Sequence, residues 1–206
     1  MLRCIVLAFL ALFALNGCSS IRETSPARTA SEQLLISTAV DEAAGKLTFP
    51  AIQGTNIYVD ATNFDGVDAK YAVAAIREQF LKQGARLMPD RDKADIVVEI
   101  RAGALSSDEN EFLIGIPDFT IPVPLTGPLS TPEIALFKRD EKRGIAKFTA
   151  TAYKAATGEY IGSSDPQFGT SYQRQWTVLF LFRWRRDNII PDDQRPSRLQ
   201  MQAPRF

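Results

Sequence analysis

The stretch "IVVEIRAGALSSDENEFLIGIPDFTIPVPLTGPL", Ile96 to Leu129, decides the fold. It opens on Ile96-Val97-Val98, apolar at successive positions and so on both faces of a strand, the pattern of a central strand covered by a helix. The spacing predicts a strand from Ile96 to about Leu105. Ser106 to Glu111 ("SSDENE") holds three acids and no glycine and predicts an exposed loop. From Phe112 the chain turns oily, yet Pro117, Pro122, Pro124 and Pro128 recur at intervals that neither a helix nor a central strand tolerates, because proline lacks the ladder donor and fixes φ. The expectation is an extended, Pro-rich apolar arm over 106–132. Its side chains Phe112, Ile114, Ile116, Phe119, Ile121 and Val123 have two readings. They pack on the domain's own sheet, or part of the arm stays exposed as an apolar docking surface for a partner or a membrane face.

Before this stretch, "TASEQLLISTAVDEAAGKL" carries a capping box, Thr29-x-x-Glu32, ahead of an apolar stripe at Ile36, Ala39, Val40, Ala43 and Leu47. A helix is predicted near 30–45, with Gly45 as its stop. "TNIYVDATNF" alternates as a strand through Ile57, Val59 and Ala61. "DAKYAVAAIREQFLKQG" places Ala69, Val73, Ile76 and Phe80 on one helical stripe, with Gly84 just past the end. A short strand and a polar turn lead from there to Ile96.

Beyond the arm, "EIALFKR", "DEKRG" and "IAKFTATAYKA" read as strand, turn and strand, with Phe148, Ala150 and Ala152 alternating against Lys147, Thr149 and Thr151. Gly158 turns the chain again. "SYQRQWTVLFLFRW" reads as one last strand, and the segment from Pro191 as a loose tail. The order helix, strand, helix, then a run of strands predicts an α+β fold, a mainly antiparallel sheet with two helices on one face.

The amino terminus reads as a targeting segment. Arg3 precedes an apolar run of 12 residues, Cys4 to Leu15, shorter than the roughly 20 residues of a membrane-spanning helix. "LNGC", Leu15 to Cys18, resembles the lipobox of bacterial lipoproteins, which implies removal of 1–17 and a lipid on Cys18. Stable attachment then follows from two or more acyl chains on one residue. Ser19, rather than Asp, resembles the outer-membrane pattern of enterobacterial lipoprotein sorting. Residues 18–28 read as a tether, 29–190 as a single domain and 191–206 as the tail. Of the 206 residues, 189 remain after Gly17, and the loss of Arg3 takes the formal charge from 0 to −1.

Composition then removes function classes. Cys4 leaves with the signal and Cys18 carries lipid, so the domain has no thiol, and the chain has no histidine. That closes His-based triads, Cys–His dyads, His/Cys zinc sites and haem ligation. Near-zero net charge gives no footprint for nucleic acid.

Candidate sites are few. Around "DATNFDGVD" a calcium loop with Gly66 as its turn glycine would put ligands at Ala61 and Ala72, and both fail; the plainer reading is a turn with Asp65 or Asp68 capping the helix. In "PDRDKAD", Arg91 and Lys93 balance Asp90, Asp92 and Asp95. In "RWRR", Arg183, Arg185 and Arg186 are candidate contacts for lipid headgroups or phosphates, against the plainer reading of strand-end charges. With 24 acids in the chain, a carboxylate pair for hydrolysis remains open. A membrane-barrel strand needs about 9–11 alternating residues; "WTVLFLFRW" is apolar on both faces and 112–129 is broken by prolines, so neither reads as one.

"TSPARTASEQLLISTAVDEA" after a lipobox, "FLIGIPDFTIPVP", "STPEIALFKRDEKRGIAKFTATAY" and the closing Trp–Trp–Pro region together resemble an uncharacterised family of bacterial lipoproteins, a domain-of-unknown-function group. The likeness implies location and one domain, and it implies no activity. "KYAVAAIREQFLKQGARLMPDRDKADIVVEI" is also similar to the small α/β domains of envelope assembly lipoproteins, including the curli secretion lipoprotein. The resulting expectation is a lipid-anchored envelope protein, held to the outer membrane through Cys18 and facing the periplasm. It would act as a non-catalytic binding, scaffold or assembly component with an envelope protein partner, and with no cofactor, metal or nucleic acid. The alternatives are a carboxylate-dependent hydrolase of envelope polymers and a subunit of an oligomeric secretion channel.

Overall fold

The computed structural model describes residues 28–123 and 127–195. The expected signal segment 1–17, Cys18, the tether up to Ala27, Pro124, the side chain of Val123 and the tail beyond Arg195 lie outside the described residues.

The first helix, α1 (Ala30–Lys46), starts where Thr29 Oγ1 accepts the Glu32 N–H at 3.2 Å. Only half of the expected capping box forms, because Arg28 Nε takes the Glu32 carboxylate at 3.0 Å. Gly45 does not stop the helix, which runs on to Lys46. Strand β1 (Asn56–Asp60) buries Ile57 and Val59. Helix α2 (Ala69–Lys82) buries Ala72, Ile76 and Phe80 and is followed by Gly84 at φ 88°. Neither expected acid caps α2. Asp68 sits in the left-handed region at φ 63° with its carboxylate on Arg28 Nη2 at 2.9 Å, and Asp65 Oδ1 accepts the N–H of Gly66 at 2.7 Å.

Strand β2 (Arg86–Leu87) leads to β3 (Ile96–Ile116), 21 residues long. A two-stranded sheet of β4 (Thr120–Val123) and β5 (Gly127–Ser130) follows, then β6 (Ile134–Lys154), again 21 residues. The chain continues through β7 (Tyr160–Ser163), β8 (Gln167–Val178) and β9 (Phe182–Asp187). The main sheet runs β2-β1-β3-β6-β8-β9, with β7 on β6 beyond the end of β8. The pairs β1–β2 and β1–β3 are parallel and the rest antiparallel, so the fold is α+β with a mainly antiparallel sheet.

Three expectations are corrected here. The loop at 106–111 and the first part of the arm belong to β3, whose pairing with β6 runs on to Ile116 opposite Ile134. Pro117 lies just past the strand, and Pro122 and Pro128 face each other in the small sheet, where both strands are edges that need no full set of N–H donors. The "DEKRG" turn does not exist. Its charges find partners across the ladder instead, Lys142 with Glu109 at 3.0 Å and Glu141 with Arg174 at 2.8 Å. Gly144 is there for clearance, because a Cβ at this position would run into the backbone oxygen of Leu35 in α1.

The core fills the space between the helices and the near half of the sheet. Ile36 and Val40 of α1, Ile76 and Phe80 of α2, and Val98, Ile100 and Phe148 of the sheet are buried there. Phe49 packs edge-on to Phe80 at 6.3 Å between ring centres, and Phe64 meets Phe148 at 5.4 Å. Helix α1 lies so close to β6 and β8 that a Cβ on Gly169 would overlap the backbone of Ala39 and Ala43. Beside it, Ser171 Oγ donates to Leu35 O at 2.6 Å. The contacts order the helix against the strand: Leu35 lies over Ser171, Glu42 accepts from Thr170 N–H, and Lys46 reaches Phe168 O. Strand β8 climbs from Gln167 to Val178, so the amino-terminal end of α1 points toward the far end of the sheet. Beyond Gly144 ten more residues of β6, about 33 Å at strand rise, run on toward the far end, past the first turns of α1.

Candidate functional site

The far half of the sheet consists of β3 from Asp108, β6 up to Arg143, β8 from Tyr172, and β9. Residues paired across an antiparallel ladder share a face. One row reads Phe112, Arg139, Trp176, Trp184, and the next toward the tip reads Ile114, Phe137, Val178, Phe182. Both rows lie on the face opposite to that of the helices, since Ala146 and Phe148, at the other parity of β6, face α1 and the core. The two tryptophans stack at 6.0 Å with 17° between their planes, and Phe112 meets Phe137 at 6.2 Å. Apolar side chains near the tip, from Ile121 at 43% to Leu181 at 69%, are exposed to water, among them Phe112, Ile114, Ile116, Phe119, Leu136 and Phe180.

Polarity therefore inverts along the strands. Near the helices β6 turns Ala146, Phe148, Ala150 and Ala152 to the core. Past Gly144 the same parity carries Lys142, Asp140 and Lys138, and the apolar side chains appear on the other face.

"WTVLFLFRW" is not one strand. It is a hairpin, with Val178 opposite Phe182 and the turn held to β6 by Leu179 N–H on Leu136 O at 2.8 Å and Phe180 N–H on Ala135 O at 2.9 Å. Leu179 and Phe180 lie at φ 47° and 50°, a backbone that two-residue hairpin turns normally give to Asn or Gly. Resolved this way, each arm alternates. Trp176 and Val178 flank Thr177, and Phe182 and Trp184 flank Arg183. The tryptophans, Phe137 and the turn were missed from the sequence, and their only signal is the pair of Trp-x-apolar arms around the run.

The opposite face is ionic. A cavity of about 150 Å³ there is lined by Glu133, Lys138, Asp140, Gln175, Thr177 and Arg183. Lys138 Nζ holds Glu133 at 2.9 Å, Glu111 at 3.1 Å and Asp140 at 3.8 Å. The carboxylates raise the Lys138 pKa, Glu133 foremost. Burial, with the neighbouring Glu111, Glu133 and Glu109, raises that of Asp140 against the pull of Lys138. On the apolar face, nearer the helices, Glu141 is only 4% exposed and accepts from Arg174 Nε at 2.8 Å and from Arg143 Nε at 2.7 Å. Those bonds, Arg174's first, hold its carboxyl below the usual range.

In this ionic cluster the acids Glu111, Glu133 and Asp140 gather on one lysine. Lys138 fills the space between its acids, and the cavity is well below the roughly 300–1,000 Å³ of ligand sites. Larger hollows of about 460 and 310 Å³ lie along the outer side of the helices around Tyr71. The Tyr71 hydroxyl donates to Asp41 at 2.9 Å, and burial together with that carboxylate pushes its pKa to about 12. Among the described residues no group of His, Cys, Asp and Glu is placed to hold a metal ion, and no helix is long and apolar enough to cross a membrane.

The structure brings Phe112, Ile114 and Ile116 onto one strand and sets Phe119 and Ile121 at the tip. It splits the arginines. Arg183 and Arg185 share the ionic face, where Arg185 pairs with Asp187 at 3.1 Å, and Arg186 lies on the apolar face beyond Trp184.

The sequence profile of DUF6655, a family of unknown function, matches residues 13–182, and the chain belongs to that family. No curated protein matches it.

Proposed function

We propose that this DUF6655 protein is a lipid-anchored component of the bacterial envelope, without a catalytic role, that docks the apolar face of its far sheet on the membrane. The observation that carries the reading is the exposed apolar face itself. A stacked tryptophan pair stands between arginines and the apolar row Ile114, Phe137, Val178 and Phe182, the arrangement of residues that settle at a bilayer surface. Arg139 and Arg186 sit level with or just behind the tryptophans on the same face, in reach of phosphate headgroups. The direction of α1 adds support. Arg28 lies at the end of the helix that points toward the tip, and the ten links from Cys18 to Arg28 can span up to about 35 Å. From the level of Ser171 to that of Val178 is about 23 Å at strand rise, so a lipid on Cys18 reaches the plane of the tip.

The test separates anchor from face. Incorporation of a palmitate analogue should depend on Cys18, and a labelled Cys18→Ala protein would sink the anchor. The Cys18→Ala protein should still float with phosphatidylethanolamine–phosphatidylglycerol vesicles. Adding Phe182→Ser and Trp184→Ser removes two side chains that are 61% and 47% exposed, whose remaining burial is worth about 2–3 kcal/mol together, or ~30- to 150-fold in partitioning. Unchanged flotation would contradict docking through this face.

A further inference from the structure

The far sheet has two open edges. Among the described residues no strand pairs with the outer side of β9, whose last residue is held by Arg195 Nη2 on Asp187 O at 2.8 Å, and β1 covers the outer side of β3 only over Ile96–Glu99, leaving Ser106–Ile116 without a partner strand. Open edges are not tolerated in hydrocarbon, since their N–H and C=O groups find no water there. A sheet docked on a bilayer as proposed above must therefore stop short of the acyl chains or close its edges.

We propose that the edges close on a second copy of this chain, β9 of one protomer pairing with the far half of β3 of the next. This rests on the membrane-facing reading. Strand direction permits it. From β3 through β6 and β8 to β9 each strand reverses the one before, so β3 of the next copy runs antiparallel to β9 and the meander continues unbroken.

The side chains match at the same levels. Trp184 is level with Phe112 and Phe182 with Ile114 on the apolar face, while Arg185 is level with Glu111 on the ionic face. A stagger of two residues, such as a closing sheet needs, brings Arg185 opposite Glu109 and Arg183 opposite Glu111, again base to acid. Like edges repel. β9 on β9 would bring arginines together, and β3 on β3 would bring glutamates together, each costly between neighbouring strands. The contact is thus head-to-tail, of the kind that closes into rings. Closure with the ionic face inward would put the Lys138 cluster inside and the exposed apolar face, with Trp184 and Phe182, outside. An apolar outside, an aromatic girdle and a polar inside are what a closed sheet presents to lipid and water.

The domain holds no cysteine once 1–17 are removed and Cys18 is lipidated, so paired cysteines report cleanly. Glu111→Cys with Arg185→Cys, and separately Glu109→Cys with Arg185→Cys, are treated in native membranes with a short bismaleimide. One of the two pairs should give a ladder running past dimer, and each single variant, with a cysteine on only one edge of each interface, should stay monomeric. Because Glu111 also holds Lys138, the Glu109 pair and wild-type sedimentation in detergent guard against a disturbed tip. Absence of a ladder in both pairs, with wild type monomeric at all concentrations, overturns the assembly. If the vesicle flotation nevertheless depends on Phe182 and Trp184, membrane docking stands and only the assembly falls. A ladder from protein that does not bind vesicles through its apolar face keeps the edge pairing and overturns the docking on which its orientation rests.

Discussion

Replacing Gly169 by alanine adds one methyl group where α1 rests on the sheet. That Cβ would overlap Ala39 O and lie 2.6 Å from Ala43 N, both backbone atoms of a helix pinned by Ile36 and Val40 in the core. Neither atom can swing aside as the end of a side chain would, so the helix must lift or the strand must bow. Overpacking of this kind costs about 1–3 kcal/mol, and backbone against backbone belongs at the upper end. The unfolded chain recovers part of this, roughly 0.4–1 kcal/mol, by losing glycine's freedom. A net loss of about 2 kcal/mol lowers the melting temperature by about 4–8 °C for a domain of this size. Gly45→Ala is the matched control. An added Cβ there meets nothing within 4 Å inside the same helix, so the change should stabilise by about 0.5–1 kcal/mol and raise the melting temperature a few degrees. Calorimetry of both variants in mild detergent reads the pair. If Gly169→Ala melts with wild type, the close seating of α1, and with it the direction in which the tether leaves, is wrong.

Other outcomes follow from the same geometry. Leu179→Asn with Phe180→Gly should relieve a left-handed backbone that costs about 1–2 kcal/mol per residue, raising the melting temperature while weakening flotation, because the strained turn is also the apolar tip. Glu141 has its pKa depressed by Arg174 and Arg143, so its contribution is complete above the ordinary glutamate value of about 4.3 and is lost as the pH falls through the lower folded value; Glu141→Gln should flatten that acid limb in pH-dependent melting and lower stability at neutral pH. Thr29→Ala removes the oxygen that caps α1 and should cost about 1 kcal/mol, with urea titration as the readout.

Helices and near strands were legible because one physical demand shaped each of them. Ile36, Val40, Ile76 and Phe80 recur at helical spacing, and Phe148, Ala150 and Ala152 at strand spacing, since each faces the same core. The far half was not legible for the converse reason. "DEKRG" looks like a turn only while charges are assumed to mean solvent; here Glu141 and Lys142 are satisfied across a ladder, and Gly144 makes room for Leu35 O. "SSDENE" looks like a loop on the same assumption, although Glu109 and Glu111 answer Lys142 and Lys138 on β6. "VLFLF" hid a hairpin because Leu179 and Phe180 stand where turn glycines are expected. Prolines are hostile to a central strand, and among the described residues Pro117 falls past the end of β3 while Pro122 and Pro128 fall on two edge strands.

The chain has two tryptophans, Trp176 and Trp184, and both lie on the proposed docking face, so intrinsic fluorescence reports on that face alone. The most direct measurement is their quenching in lipidated protein by phospholipids brominated near the top of the acyl chains. Docking through the far sheet predicts blue-shifted, strongly quenched emission that quenchers placed at the bilayer centre reproduce only weakly. Emission that stays red and unquenched in membrane-bound protein would show that the anchor alone holds the protein and that the apolar face points elsewhere.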